Sequence, residues 1–213
     1  ELSTFARRGS GSSTRSLFGG FVEWDMGTSS EDSMAHPVDD ADWDIGMLVL
    51  VVDSQEKKIA SRIGMEHTVQ TSPFYPAWIE TAREDLQAMK AAIAEKDFET
   101  LGRITEHNGF KMHATTLSAN PPFTYWSADS LLAQEAVRQV REELQVPAYM
   151  TMDAGPNVKI LCRASDMGRL QKALSIHFPA ENIISSLPGP AAYVLSEADW
   201  QPSKMRLTEG NHL

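Results

Sequence analysis

The stretch AYMTMDAGPNVKILC, residues 148–162, indicates the kind of sheet that this chain forms. Residues 148–152 and 158–162 are mostly apolar and of strand length, and the five residues between them, DAGPN, have the composition of a turn. Two short strands joined in this way favour an antiparallel sheet. The stretch also places a carboxylate, Asp153, at the point where a strand enters a turn.

Upstream, the unbroken apolar run MLVLVV at 47–52 predicts another strand, buried on both faces. Residues 79–93 and 98–112 carry apolar side chains three and four positions apart, which predicts two helices, the second capped by Asp97. The second helix is expected to bury Phe98, Leu101, Ile104, Asn108 and Met112. A third helix, capped by Ser127, is expected to bury Leu132, Ala136, Val140 and Leu144.

Downstream, Ser165 or Asp166 can cap a last helix, and strands are expected at 183–184 and 193–195. From residue 47 the order is strand, helices, strand, strand, helix, strand. This order predicts a split βαβ arrangement, which is a ferredoxin-like α+β domain with an extra helical insertion and helices on one face of the sheet. We assign residues 47–196 to this domain.

The first 46 residues are predicted to be the remnant of another domain, and residues 197–213 a polar tail. Within the remnant, the apolar spacing at the very start is typical of the end of a helix, and strand signals occur at 17–24 and near 34–38. The expected domain boundary follows a cluster of Gly, Ser, Asp and Glu at 27–44.

Composition excludes several classes of protein. Hydrophobic residues make up 42% and charged residues 23% of the 213 residues, as in ordinary folded domains. The net charge of −10 argues against nucleic-acid binding, so an anionic substrate must be held by local donors. The single cysteine, Cys162, excludes an internal disulfide and fits a reducing cytoplasm. No apolar run approaches the roughly 20 residues of a membrane span.

Two segments carry groups that bind anions. Residues 9–16, GSGSSTRS, combine flexible glycines, hydroxyls and the guanidinium of Arg15, which can grip a carboxylate or phosphate with two hydrogen bonds. The alternative is a flexible Gly/Ser loop with a surface arginine. In SRIGM at 61–65, Ser61 can cap a helix and donate to an anion while Arg62 binds a second charge. The alternative there is a plain cap beside a solvated arginine.

Asp153 also has two interpretations: a turn residue that bonds nearby backbone amides, or a catalytic acid or base at a sheet edge. The six histidines show no metal-ligand spacing with Cys, Asp or Glu, so no metal centre is predicted. His113 precedes a proline-rich loop and has two interpretations: a residue that approaches the site, or a partly buried histidine with a satisfied ring, of which the second is expected.

Six motifs occur in one order along the chain and together resemble the bacterial type of diphosphomevalonate decarboxylase, in the GHMP kinase superfamily. The resemblance runs from about residue 1 to about residue 186. The motifs are GSGSSTRS at 9–16, FGGFVEW at 18–24, SRIGM at 61–65, MHATT at 112–116, NPPFTY at 120–125 and TMDAGPNVK at 151–159.

The resemblance implies a GHMP kinase fold, in which residues 1–46 are the remnant of an N-terminal ribosomal-protein-S5-like domain. It also implies ATP-dependent decarboxylation of mevalonate 5-diphosphate to isopentenyl diphosphate, with ATP and Mg²⁺ as cofactors, in a cytoplasmic homodimer. Asp153 would act on the tertiary hydroxyl and Arg15 would grip the substrate carboxylate. The further residues expected to bind substrate are Ser10, Gly11, Ser12, Ser61, Arg62 and Met65.

The chain departs from the family pattern, because the Gly/Ser-rich ATP loop and a substrate-binding Lys-Tyr pair are not found in it. We therefore expect it to correspond to the C-terminal part of the enzyme and to be inactive in isolation. Two alternatives are a GHMP-type kinase that does not decarboxylate, and a non-catalytic ferredoxin-like binding module. An alcohol kinase needs no carboxylate clamp, so the pairing of Arg15 with Asp153 favours the decarboxylase.

Overall fold

The computed structural model describes residues 2–53 and 59–196, which fall into two compact units. The first unit contains residues 2–40 and 189–196, and the second contains 41–53 and 59–188. The tail predicted at 197–213 lies outside the described residues. The domain boundaries predicted at 46 and 196 stay predictions.

The first unit begins with a helix, as its apolar spacing predicts. It contains α1 (Leu2–Gly9), a short 3-10 helix (Gly11–Thr14), and the antiparallel strands β1 (Phe21–Trp24) and β2 (Ala35–Asp39). β1 begins only after Gly20, whose φ is +65° and whose Cβ would lie 2.2 Å from the Asp39 carbonyl oxygen. A side chain is therefore excluded at this turn.

One strand prediction in the first unit is wrong. Residues 193–195 form no strand, and Val194 is 96% exposed. Three consecutive apolar residues form a stable strand only where a sheet edge or a core receives them, and here the run follows the proline-containing segment LPGP at 187–190.

The second unit has the predicted split βαβ arrangement. Its elements in chain order are β3 (Gly46–Leu50), α2 (Ser61–Thr71), α3 (Tyr75–Ala94), α4 (Phe98–Leu117), α5 (Ala128–Leu144), β4 (Ala148–Thr151), β5 (Val158–Cys162), α6 (Met167–Leu174) and β6 (Ile183–Ser186). The sheet order is β4-β5-β3-β6, and every neighbouring pair is antiparallel. β5 therefore lies between β3 and β4, which confirms the ferredoxin-like α+β prediction.

The core lies between one face of this sheet and helices α5 and α6. Alternate residues of β3, β4 and β5 point into this core, because side chains alternate between the two faces of a sheet along each strand. Its fully buried members include Leu48, Leu50, Met150, Val158, Ile160, Val140, Leu170 and Leu174. This face fixes the register of the β4–β5 hairpin, because a one-residue slip would expose its apolar side chains.

Helix α4 runs along the open edge of the sheet, at β4. The Met150 amide donates to the Glu106 carboxylate at 2.7 Å, and Arg141 donates to the same carboxylate at 3.1 Å. Gly102 allows close approach, since its Cβ would lie 2.0 Å from Cδ2 of Tyr149. The helix satisfies an edge amide that would otherwise face solvent.

Two predicted helix faces need correction. In α4, Phe98 and Leu101 are buried as expected, but Ile104, Asn108 and Met112 are only half-buried. The buried stripe continues instead through Gly102, Gly109 and His113. In α5, Leu132 is 64% exposed and lines an open depression. The buried face of each helix differs from the predicted one because it is set by the element on which the helix packs. The spacing of apolar residues within the helix does not encode the position of that element.

Two of the four predicted helix caps are confirmed, those at Asp97 and Ser127. Asp97 accepts from the Thr100 amide at 3.1 Å, and Ser127 accepts from the Ser130 amide at 3.1 Å. Asp166 precedes α6 but makes no side-chain cap, because its carboxylate accepts from Arg169 instead. Within the described ranges, no helix combines the length and apolar composition needed to cross a membrane.

Replacing Gly102 by alanine tests the close packing of α4 against β4. The added methyl would collide with the Tyr149 ring, whose hydroxyl is held by Glu99 at 2.5 Å. We expect Gly102→Ala to lower the free energy of unfolding by about 1–2 kcal/mol, measured by urea denaturation. Gly168→Ala in α6 is the control, since nothing lies within 4 Å of its Cβ, and it should leave stability unchanged or slightly raised. Equal stability of the two variants would contradict this packing.

Candidate functional site

Asp153 is an exposed carboxylate two residues beyond the end of β4. It directly follows Met152, which is buried beneath the sheet, while the Asp153 side chain is 69% exposed. Lys159, the second residue of β5, reaches across the turn, and its Nζ lies 2.8 Å from Oδ1 of Asp153. The carboxylate is thus open to a ligand and paired with a cation.

The turn that carries Asp153 is tied to two other elements of the second unit. Oδ1 of Asn157 accepts from the amides of Val52 at 2.9 Å and Asp53 at 3.2 Å, where the chain leaves β3. Oγ of Ser130, in the first turn of α5, donates to the Pro156 carbonyl at 2.7 Å. In these hydrogen bonds a side-chain amide and a hydroxyl bind backbone groups that are not paired with a neighbouring strand.

His113 supports the same turn from below. It is fully buried on α4, and its Nε2 lies 3.3 Å from the carbonyl oxygen of Met152. A carbonyl can only accept, so Nε2 must carry the proton and Nδ1 is bare. Nδ1 has no hydrogen-bond partner in the described part of the chain. The sequence favoured a partly buried histidine with a satisfied ring, whereas the ring is fully buried and only one of its two nitrogens makes a hydrogen bond.

The charge state of His113 follows from this burial. Burial lowers the pKa of His113 below its usual value, and the Met152 carbonyl and the Asp153 charge oppose that shift only in part. Trp126 covers the ring, with centroids 4.8 Å apart. The imidazole is therefore neutral at pH 7 and acts as a fixed donor under the carboxylate.

In the first unit, hydroxyls of the 9–16 loop anchor its backbone. Oγ1 of Thr14 is buried and donates to the Ser3 carbonyl at 2.9 Å. Ser13 donates to the carbonyls of Ala6 and Ser10 at 2.6 and 2.7 Å. These two hydroxyls hold the loop on α1 and leave little freedom to the residues beside them.

The remaining polar groups of the loop face outward. Ser10, Ser12 and Arg15 are exposed, and the hydroxyls of Ser10 and Ser12 lie 3.2 Å apart. Ser12 and Arg15 line a shallow groove of about 370 Å³, walled by Phe18 and Phe21. Two hydroxyls and a guanidinium beside a groove of this size can bind the anionic group of a small molecule.

Helix α2 presents the other predicted substrate-binding residues. Ser61 is its first residue and Ala60 its cap, so the predicted capping role of Ser61 is wrong. Arg62 and Met65 are exposed on the helix surface. The opposite side packs closely, since a Cβ at Gly64 would lie 2.1 Å from the Tyr125 hydroxyl.

The structure adds one cluster that the sequence did not indicate. Glu23, Asp25 and His36 bring ligand atoms within 4.8 Å of one another, because Glu23 pairs with His36 across the β1–β2 ribbon. Nε2 of His36 lies 3.5 Å from Glu23 and Nδ1 lies 3.1 Å from Asp25. The two nitrogens face different carboxylates, whereas a single metal ion takes one nitrogen. The arrangement is that of a charge cluster.

The single cysteine takes no part in chemistry at neutral pH. Cys162 is fully buried at the end of β5, and burial raises its pKa to about 12. A thiol in this state is neither a nucleophile nor a ready metal ligand.

The predicted site residues divide between the two units. Ser10, Gly11, Ser12 and Arg15 lie together in the first, and Asp153, Ser61, Arg62 and Met65 belong to the second. The convergence of Arg15 and Asp153 on one substrate stays a prediction. Lys159 and His113 are neighbours of Asp153: the sequence assigned no role to Lys159, and for His113 it offered an approach to the site only as the less favoured alternative. The available signal for Lys159 was a lone lysine in the otherwise apolar β5.

Comparison with protein families matches almost the whole of the described chain. Residues 47–206 match the mevalonate 5-diphosphate decarboxylase C-terminal domain, and residues 1–35 match the diphosphomevalonate decarboxylase-like N-terminal domain. Among curated relatives, diphosphomevalonate decarboxylase of Candida albicans is 37% identical over 84% of this chain and 50% of its own length. The human enzyme is 35% identical over 84% of this chain and 46% of its own length. This chain therefore spans about half the length of the curated relatives it matches.

Solved structures agree. The decarboxylase from Enterococcus faecalis, described with a mevalonate diphosphate mediated ATP binding mechanism, superimposes with a TM-score of 0.83 at 46% identity, over 89% of this chain and 58% of that one. The enzyme from Staphylococcus aureus gives 0.84 at 43% identity, with coverage of 89% and 58%. A complex with MVAPP, AMPPCP and magnesium gives 0.84 at 47% identity, again covering 89% and 58%.

The buried neutral His113 makes stability depend on pH. Its pKa is lowered in the folded state, so the unfolded chain takes up a proton near pH 6.5 that the folded chain does not. Stability should be fully present above that pH and decline as the pH falls, by at most about 1.4 kcal/mol per pH unit, until the lowered pKa is passed. We expect urea denaturation at pH 7.0 and 5.0 to show this loss.

The control for this prediction is His113→Gln, whose Nε2 can still donate to the Met152 carbonyl but cannot titrate. Most carboxylates titrate below pH 5, so they contribute little in this window. A variant that loses as much stability as the wild-type chain between the two pH values would show that His113 is not the titrating group.

Proposed function

This chain belongs to the mevalonate 5-diphosphate decarboxylase family, and on that premise we propose that it supplies the catalytic carboxylate and a substrate-binding loop for ATP-dependent decarboxylation of mevalonate 5-diphosphate. The observation that carries the proposal is Asp153, an exposed carboxylate on a turn held rigid from β3, α4 and α5. An acid or base that must meet one hydroxyl needs both accessibility and a fixed position.

The proposed reaction proceeds in two stages. A phosphoryl group passes from ATP to the tertiary hydroxyl of mevalonate 5-diphosphate, and Asp153 orients that hydroxyl or takes its proton. Phosphate then leaves from the tertiary carbon while the substrate carboxylate departs as CO₂. The electrons of the broken carbon–carbon bond form the double bond of isopentenyl diphosphate, and ADP and phosphate are the other products.

Arg15 is proposed to hold the substrate carboxylate in the orientation for its loss. A guanidinium binds a carboxylate through two parallel hydrogen bonds, which fixes direction as well as distance. Binding of the diphosphate is assigned to Ser10, Ser12, Ser61 and Arg62, and Gly11 and Met65 are assigned to substrate binding in general. The outward direction of Ser10, Ser12 and Arg15 supports this assignment, because Ser13 and Thr14 already hold the loop.

ATP and Mg²⁺ are proposed as the phosphoryl donor and its metal. The relative bound to AMPPCP and magnesium supports both. The cluster of Glu23, Asp25 and His36 does not suit Mg²⁺, because it contains an imidazole, whereas Mg²⁺ prefers oxygen ligands. No step is therefore assigned to the metal through residues of this chain. A cytoplasmic homodimer is also proposed, on the resemblance alone.

The rival from the same superfamily is an alcohol kinase without decarboxylation. The two are separated by products: with substrate labelled in its carboxyl group, a decarboxylase releases one CO₂ for each ADP, whereas a kinase forms ADP alone. The assay should use an enzyme of full family length that includes this sequence.

Substitution of Asp153 and Arg15 tests the assigned roles in that full-length enzyme. We expect Asp153→Asn and Arg15→Ala each to lower kcat/KM at least about 100-fold, the usual scale for a positioned acid or base. The measurement is labelled CO₂ release. Asp42→Asn and Arg103→Ala are matched controls at exposed positions and should stay near wild type. A value within threefold of wild type for either test variant would refute the role of that residue.

A further inference from the structure

Lys159 makes an ion pair with Asp153 that the fold itself does not require. Its neighbours Val158 and Ile160 are fully buried in the core, so Lys159 points to the other face of the sheet. There it lies opposite Thr151 on β4 and Val49 on β3. An apolar or β-branched residue suits such an inner-strand position better than lysine does.

The side chain of Lys159 extends along the strand toward Asp153. Lys159 is opposite Thr151, two residues before Asp153, so its extended side chain must run along the strand to reach Oδ1 at 2.8 Å. The lysine side chain is only 27% exposed, whereas the aspartate is 69% exposed. Holding a long side chain in one conformation costs entropy, and a pair this exposed on one side contributes little to stability. The cost points to a role other than folding.

We propose that Lys159 is a positioning residue for Asp153: its ammonium holds Oδ1 and selects one orientation of the carboxylate. The inference rests on the proposed function, in which Asp153 meets the substrate hydroxyl. Lys159 then fixes the side chain of Asp153. The hydrogen bond between His113 and the Met152 carbonyl fixes the backbone just before Asp153. The ammonium attracts the ionised carboxylate over a short distance in a partly shielded site.

The first test compares Lys159→Met, which keeps the stem and removes the charge, with Lys159→Arg, which restores a cation. In the full-length enzyme, Lys159→Met should lower kcat between about 10- and 100-fold, because a misplaced reacting group costs rate more than affinity. KM should change less than threefold. Lys159→Arg should recover most of the lost rate. Lys172→Met, at an exposed position on α6, is the matched control and should be unaffected.

A double-mutant cycle separates positioning from direct substrate binding. If Lys159 acts through Asp153, adding Lys159→Met to Asp153→Asn should cause no further loss of rate. Losses that add, or a raised KM with kcat unchanged, would mean that Lys159 binds substrate directly and would overturn the inference. So would a Lys159→Met enzyme within threefold of wild type.

The outcome for Asp153→Asn alone keeps the two proposals apart. If that variant retains activity, the proposed function of Asp153 fails. If it is inactive while Lys159→Met is normal, only the present inference fails. Thermal unfolding of each variant checks the fold, and Lys159→Gln provides a second neutral variant should Lys159→Met be unstable. A loss shared by both neutral variants and restored by arginine supports the proposal.

Discussion

The structure around Asp153 depends on a set of hydrogen bonds that fasten a solvent-facing turn to buried elements. The turn has no ladder partner, so its backbone would be free to move without them. Asn157 ties it to the end of β3, Ser130 ties it to the start of α5, and His113 holds the carbonyl just before Asp153. Each tie comes from an element that packs in the core or along the sheet edge. The carboxylate is therefore held in position by packed elements of the second unit while its side chain remains exposed.

The loop at 9–16 is built on the same division of tasks. Ser13 and Thr14 use their hydroxyls on backbone carbonyls of α1, whereas Ser10, Ser12 and Arg15 face outward beside a groove. Hydroxyl groups in this loop thus serve two purposes: the more buried ones hold the backbone, and the exposed ones are available to a ligand. A binding group is effective when its own support is already satisfied, because less conformational entropy is lost on binding.

Electrostatics explains why these groups must be local. With a net charge of −10, the chain as a whole repels a phosphorylated acid. Short-range contacts from guanidinium and hydroxyl groups can overcome that repulsion within a groove, where screening by water is reduced. The same reasoning applies to the exposed turn after β4, where Lys159 offsets the charge of Asp153. The neutral His113 adds a hydrogen bond to this turn without adding a charge.

The sequence by itself determined much of the framework. The order of helices and strands along the chain, the caps at Asp97 and Ser127 and the position of Asp153 at the start of a turn depend on local spacing and turn chemistry, and the sequence encodes these directly. The motifs also identified the family, since their joint order is specific. These features involve residues close together along the chain.

Only the tertiary structure decided how distant surfaces meet. It turned α4 so that Gly102 and His113 face the sheet, left Leu132 exposed, and brought Glu23 and Asp25 beside His36. It also directed Lys159 at Asp153. Helix rotation depends on the shape of the packing partner, and cross-strand neighbours depend on register. Neither is written in the spacing of one segment, because both arise when segments far apart in sequence bury surface against each other.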